Sequence, residues 1–186
     1  MKKLVQFIIL SLLVFSNVGA EKKDNELNKL FKLLKNSKNT KAIEIENKIW
    51  KIWSTHPSED RRGYRLTELL AQGSLLINQR KLNKAYWLFS QIILEDPKWA
   101  EAWNKRATVL YMMGNYEQSQ NDINEVLKIE KRHFGALSGQ GLVQTALNNY
   151  QKAIESYIEV HKVHPYMKSP LIMIEKLQLQ IKKESI

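Results

Sequence analysis

Between Leu66 and Met167 the chain says the same thing three times at a period of 34 residues, in the windows Leu66 to Trp99, Ala100 to His133 and Phe134 to Met167. The eighth place of each window is small, as Gly73, Ala107 and Gly141. Twelve residues on stand Ala85, Ser119 and Ala153, and four beyond those a bulky apolar or aromatic residue, Phe89, Ile123 and Tyr157. Pro97 and Pro165 lie two periods apart. A unit of this length cannot bury its own apolar face, so units of this kind must stack and cover one another.

Each window is predicted to fold as two antiparallel helices. In the middle window Glu101 to Met113 is the first helix, Gly114-Asn115 the turn and Tyr116 to Glu130 the second. Gly114 and Asn148 suit the left-handed conformation that closes a helix, whereas Arg80 to Asn83 specifies its turn less well. The small residues of the eighth column are expected where a partner helix passes close, so that added bulk there overpacks the crossing. Gly135 and Gly139 belong to no such column; the expectation for them is either close helix packing or room on the inner surface for a ligand or a peptide backbone.

The middle window, AEAWNKRATVLYMMGNYEQSQNDINEVLKIEKRH, resembles the tetratricopeptide repeat family at Ala100, Trp103, Ala107, Leu110, Gly114, Tyr116, Ser119, Ile123, Leu127 and Ile129. The resemblance covers about 102 of 186 residues and extends to uncharacterised exported bacterial repeat proteins. It departs at Lys131, where proline is usual, and at the seventh place, usually aliphatic, which holds Gln72, Arg106 and Gln140. The resemblance implies an all-α fold, a right-handed superhelical stack of antiparallel helix hairpins, the TPR-like α-solenoid, closed by a C-terminal capping helix. It also implies a concave face built from the first helices. The residues it places there are Thr67, Leu70, Ser74, Ile77 and Asn78, then Glu101, Asn104, Thr108, Tyr111 and Met112, then Gly135, Ser138, Leu142, Thr145 and Ala146. The set is mixed and carries little charge, so it does not match the Lys/Asn clamp with which some family members hold a C-terminal carboxylate.

Outside the repeats, Lys2 and Lys3 precede an apolar run from Leu4 to Phe15 and then Ser16-Asn17-Val18-Gly19-Ala20, the order of a secretory signal peptide over residues 1–20 with cleavage after Ala20. The run is short for a transmembrane helix, so no stable membrane insertion is expected after cleavage, and the mature chain is expected in the periplasm or the medium. Residues 21–57 predict a helix hairpin, Asn25 to Lys35 and a second helix carrying Ala42, Ile45, Ile49, Ile52 and Trp53, which resembles a degenerate fourth unit. Trp50 and Trp53 are expected to pack against the next repeat. Residues 58–65, SEDRRGYR, are expected to form a charged inserted loop in which Gly63 permits a turn. Ser169-Pro170 starts a closing helix within residues 168–186 whose polar outer face suits a cap.

The chain contains no cysteine, which excludes disulfides, thiol nucleophiles and cysteine-held zinc. Its net charge of +10 falls to +8 once Lys2 and Lys3 are removed, and the charges are spread along the chain. Export makes nucleic acid a poor partner. The sequence therefore points to a scaffold for a protein or peptide partner in the bacterial envelope, with no catalytic residues, no metal and no cofactor. The alternative is an assembly or adhesion factor whose basic exterior meets an anionic polymer or a membrane surface. The partner-binding candidates are Ser74, Asn78, Glu101, Asn104, Thr108, Tyr111, Met112, Ser138, Leu142 and Thr145. Arg106 sits in an aliphatic column and needs partners; Asp122 and His133 are its expected neighbours, in a polar network or recognition surface that includes Arg132. His161 and His164 favour the negative end of a helix dipole over a metal site.

Overall fold

A computed structural model describes residues 21–184, and the segment expected to be a signal peptide, residues 1–20, lies outside the described residues. The described residues fold into helices: α1 (residues 21–36), α2 (Asn39–Trp53), α3 (Arg61–Asn78), α4 (Leu82–Glu95), α5 (Ala100–Met112), α6 (Tyr116–Ile129), α7 (Phe134–Ala146), α8 (Tyr150–Val163) and α9 (Ser169–Glu184), with no strand among them. None of them is long and apolar enough to cross a membrane.

The repeat explains its own columns. A methyl group on Gly73 would meet the ring of Phe89 at 2.5 Å, and one on Gly141 the ring of Tyr157 at 2.5 Å, so the small residue of one helix receives the large residue of its partner. In the middle unit Ser119 also ties the helices together, its Oγ donating to the Ala107 carbonyl at 2.8 Å. The three turns close alike. Arg80, Gly114 and Asn148 all take positive φ, at 58°, 79° and 59°, and the next N–H reaches back to Leu76, Leu110 and Gln144 at 2.9, 2.9 and 2.8 Å. Arg80 adopts the left-handed conformation although its side chain disfavours it, because the flanking helices require the same turn there as in the other two units.

Cores run between units as well as within them. Leu66, Leu70, Phe89 and Ile92 of the first unit pack with Ala102 and Val109 of α5; Ile123 and Val126 pack with Ala136 and Val143 of α7; and Ala153, Ile154 and Tyr157 pack with Leu177 of α9. Every hairpin thus buries its stripe against the next helix along, and α9 ends the series.

Two expectations about the flanks are corrected. Arg61 to Arg65 are not loop but the first turn of α3, because Asp60 caps that helix, its Oδ1 accepting the Gly63 N–H at 2.7 Å. Gly63 permits a close approach, not a turn: a Cβ there would lie 1.9 Å from the Ser58 carbonyl oxygen, where the preceding loop crosses the helix. The α1–α2 hairpin, in turn, does not stack ahead of the first unit as a degenerate repeat would. Its Leu30, Phe31, Leu34, Ile49 and Trp53 share a core with Phe134, Leu137 and Val160 of the third unit, and no residue of α3 or α4 belongs to that cluster. The hairpin therefore lies along the array, across the junctions between units. Its contacts run from Trp99, whose Nε1 donates to the Trp53 carbonyl at 2.8 Å, through His133 to His164, whose Nε2 is 3.1 Å from Glu46 Oε2.

Candidate functional site

The concave face divides in two. Near the N-termini of α5 and α7 it is filled by the chain itself. Gly135 takes the edge of Trp50, with Cη2 only 2.5 Å from where a Cβ would be, so the room expected for a ligand at this glycine is occupied by the hairpin. Trp53 stacks on His133 with ring centroids 3.9 Å apart and planes 13° from parallel, and Trp50 stands edge-on to both Trp53 and Phe134 at 5.3 and 5.2 Å.

Under these rings lies a buried polar group. Glu101 and His133 are both fully buried. His133 Nδ1 accepts the Ala136 N–H at 3.1 Å and so carries no proton, which leaves its Nε2–H to donate to Glu101 Oε2 at 3.0 Å. The same carboxylate accepts from Asn104 Nδ2 at 3.0 Å, and Lys105 Nζ lies 3.2 Å from its other oxygen. Burial opposes the charge on Glu101, but the His133 hydrogen bond and Lys105 overcome it and hold the carboxyl below its ordinary range. His56 repeats the arrangement one junction earlier, with Nδ1 accepting the Ser58 N–H at 3.1 Å and Nε2 donating to Asp96 Oδ2 at 2.8 Å. Burial again opposes the charge, and His56 with the Lys98 N–H keeps Asp96 below the usual value.

Two turns further along, the face is open. Asn104, Thr108, Tyr111, Gly139 and Leu142 line a cleft of about 60 Å³ between α5 and α7, which also reaches Ile123. Gly139 keeps it open: a Cβ there would touch only Ile123 Cδ1, at 3.6 Å. Tyr111 is half-buried, its ring 5.5 Å from that of Tyr116, and Leu142 is exposed.

The partner-binding candidates differ in what they leave free for a partner. Glu101 and Asn104 are buried and engaged with each other, so neither stands free on the surface, although Asn104 still borders the cleft. Leu70, placed on this face by resemblance, is core. Ser74, Thr108, Ser138 and Thr145 donate their hydroxyls to the carbonyls four residues earlier, at 2.9, 3.0, 2.8 and 2.7 Å, which leaves only acceptor capacity for a partner. Met112 is half-buried on α5, and Asn78 is exposed at the end of α3.

The four residues expected to form one polar network form two, plus a separate arginine. Arg106 holds Asp122 through two bonds of 2.7 Å, donates to Ser90 Oγ at 3.1 Å and lies over the Trp103 ring at 4.9 Å. Burial opposes the charge on Arg106, but Asp122 wins and raises the guanidinium above its usual value. The network thus joins units one and two, not two and three, and His133 is not its neighbour because that ring is engaged by Glu101. Arg132 instead bonds Glu130 and Asn28 and covers the Phe31 ring at 4.4 Å. Gln140, in the same column as Arg106, repeats the cross-helix bond more weakly, its Oε1 accepting from Ser156 Oγ at 3.3 Å. His164 bonds Glu46 rather than a metal, and among the described residues no three His, Asp or Glu side chains gather as metal ligands would.

Residues that sequence reasoning did not assign to this face, Trp50 and Trp53, close one part of it, and Trp99 and His56 hold the hairpin's end against the first junction. Their only local signal is a concentration of aromatic and histidine residues at the ends of helices.

No protein-family profile matches the chain. A TPR repeat-containing protein of Rhizobium etli is 34% identical over 123 residues, which are 64% of this chain and 58% of that protein. The chain thus spans under two thirds of that relative's length. Among solved structures, the Sgt2 TPR domain from Aspergillus fumigatus superimposes with a TM-score of 0.62 at 18% identity, over 65% of this chain and 82% of that one. The first TPR of Spaghetti (RPAP3), bound to an HSP90 peptide, does so with a TM-score of 0.61 at 18% identity, over 63% and 93%. The 34-residue register, the stacked helix hairpins with small residues at their crossings, and this relative make the chain similar to tetratricopeptide repeat proteins in sequence and in fold.

Proposed function

We propose that the protein is a binding scaffold without chemistry of its own, which takes a protein or peptide segment at the open part of its concave face. The observation that carries this reading is the Gly139 cleft: in an otherwise close-packed helix pair, one glycine has no side chain packed into its space, and Tyr111 and Leu142 offer apolar contact beside it. Several hydroxyls here already satisfy themselves, so the affinity would come from apolar side chains seated in the cleft. A neighbour of the same fold, the first TPR of Spaghetti (RPAP3), is bound to an HSP90 peptide, which supports peptide capture by this architecture. The lysine-led apolar run before Glu21 supports export, and with it a partner in the cell envelope.

Gly139→Leu should fill the cleft. A partner captured from envelope extract on the wild-type chain should bind this variant at least about tenfold more weakly, the scale of one lost apolar anchor, with an unchanged melting temperature. Full affinity in the Gly139→Leu variant would remove the cleft as the binding site.

A further inference from the structure

Docking the hairpin on the array leaves a second cleft, of about 400 Å³, where α1 meets the α6–α7 loop and the end of α8. Its lining includes four cations, Lys32, Lys35, Arg132 and Lys162, with the apolar Phe31 and Val163 beside them and no carboxylate. Arg132 is fixed in place: Nε and Nη2 donate to Glu130 at 2.9 and 2.8 Å, and Nη1 to Asn28 Oδ1 at 2.7 Å. Lys162 Nζ reaches Glu159 at 2.6 Å. Both carboxylates lie outside the lining, so they orient two of the cations without filling the cleft.

Lys32 and Lys35 differ from the other two cations of the cleft. Within the cleft Lys162 has a carboxylate three residues away, whereas the side chains of Lys32 and Lys35 form no ion pair or hydrogen bond among the described residues, as is also true of the exposed Lys84, Lys131 and Lys152 of the array. Glu130 and Glu159 already compensate two of the four charges, which leaves those of Lys32 and Lys35 unpaired beside a hollow whose lining is of one sign, and such a concave wall focuses the potential inside it.

We propose that this cleft is a binding site for a phosphate ester. The Arg132 fork is already occupied, so Arg132 acts as a fixed charge while the two unpaired ammonium groups supply donors. A phosphate with nearly two negative charges and several acceptor oxygens matches that set better than a single carboxylate does. Phe31 and Val163 suit the carbon skeleton attached to it. The ester belongs either to a soluble molecule or to a lipid headgroup, and the two sources separate by experiment.

Two double charge reversals of the full chain are compared, Lys32→Glu with Lys35→Glu in the cleft, and Lys41→Glu with Lys48→Glu elsewhere on the same hairpin. All four lysine side chains are exposed and without partners among the described residues, so both variants should fold, as circular dichroism melting will verify. Glycerol 3-phosphate is titrated calorimetrically, and the preference for vesicles containing phosphatidic acid, whose headgroup is likewise a phosphate monoester, over pure phosphatidylcholine vesicles is measured by sedimentation. The cleft variant should lose about tenfold or more in phosphate affinity or in vesicle preference, and the control less than about threefold. A selective loss with the soluble ester alone assigns a soluble ligand; a selective loss on vesicles assigns a lipid headgroup. Equal losses in the two variants, or no selective loss with either probe, would overturn the site.

Discussion

The two parts of the concave face are built from the same helices and end differently. Glu101 and Gly135 occupy the second place of their units, and both are covered by tryptophans from outside the repeats. Thr108 and Leu142, in the ninth place of the same two units, are left facing the open cleft. Equivalent places in a repeat therefore do not have equivalent exposure. The length of the usable groove is set by a hairpin that belongs to no repeat, which closes one part and leaves the other free.

The largest effect that would break this contrast is at Trp53. It buries its ring between His133 and Phe134, so Trp53→Ala should cost about 3–5 kcal/mol in urea unfolding of the full chain and expose the Ser54 to Asp60 connection to protease. A cost below about 1 kcal/mol would mean the hairpin does not seal the groove.

A finer test uses the two glycines that face the two parts. Gly135→Ala should destabilise by about 1–3 kcal/mol because its new methyl group meets Trp50. In a Trp50→Ala background the same change should become neutral or stabilising by up to about 1 kcal/mol, since alanine favours the helix. Gly139→Ala should stabilise by that smaller amount in both backgrounds, because its Cβ has open space. Absence of coupling between positions 50 and 135 would detach the hairpin from the glycine that receives it.

The smallest effect is a pH dependence. Both Glu101 and Asp96 have carboxyls held below their ordinary 4.5 and 3.8, so the stability they contribute is complete above those values and is lost as the pH falls through the lower, folded ones. Glu101→Gln keeps an acceptor for His133 but has no proton to gain. Its unfolding free energy should therefore decline less than that of the wild type between pH 6 and pH 3. Parallel declines would show that the buried carboxylate is not held by its partners.

Much of the array was legible because its determinants are local. Gly73 and Gly141 could be read as crossing points, since the residues that fill their space, Phe89 and Tyr157, lie sixteen positions away in the same unit and recur in register. Gly135 has no such column, and its occupant, Trp50, comes from far outside the repeat, where no periodicity points to it. Arg106 was rightly expected to need Asp122, its neighbour across one hairpin; the Ser90 contact that turns the network toward unit one depends on how units stack. Gly63 failed for a related reason. A glycine among charged residues reads as a turn, and only the path of the loop across α3 shows that it is needed for clearance.

The sequence alone determined the period, the helix pairs, their close crossings and the succession of cores, because each depends on side chains that meet within one unit or between adjacent units. Tertiary structure alone decided where the leading hairpin lies, which glycine stays open and where four cations converge. Those outcomes turn on contacts between residues of different units or of the hairpin and the array, such as Trp50 with Gly135, Asn28 with Arg132 and Glu46 with His164, and such pairs leave no spacing in the chain to be read.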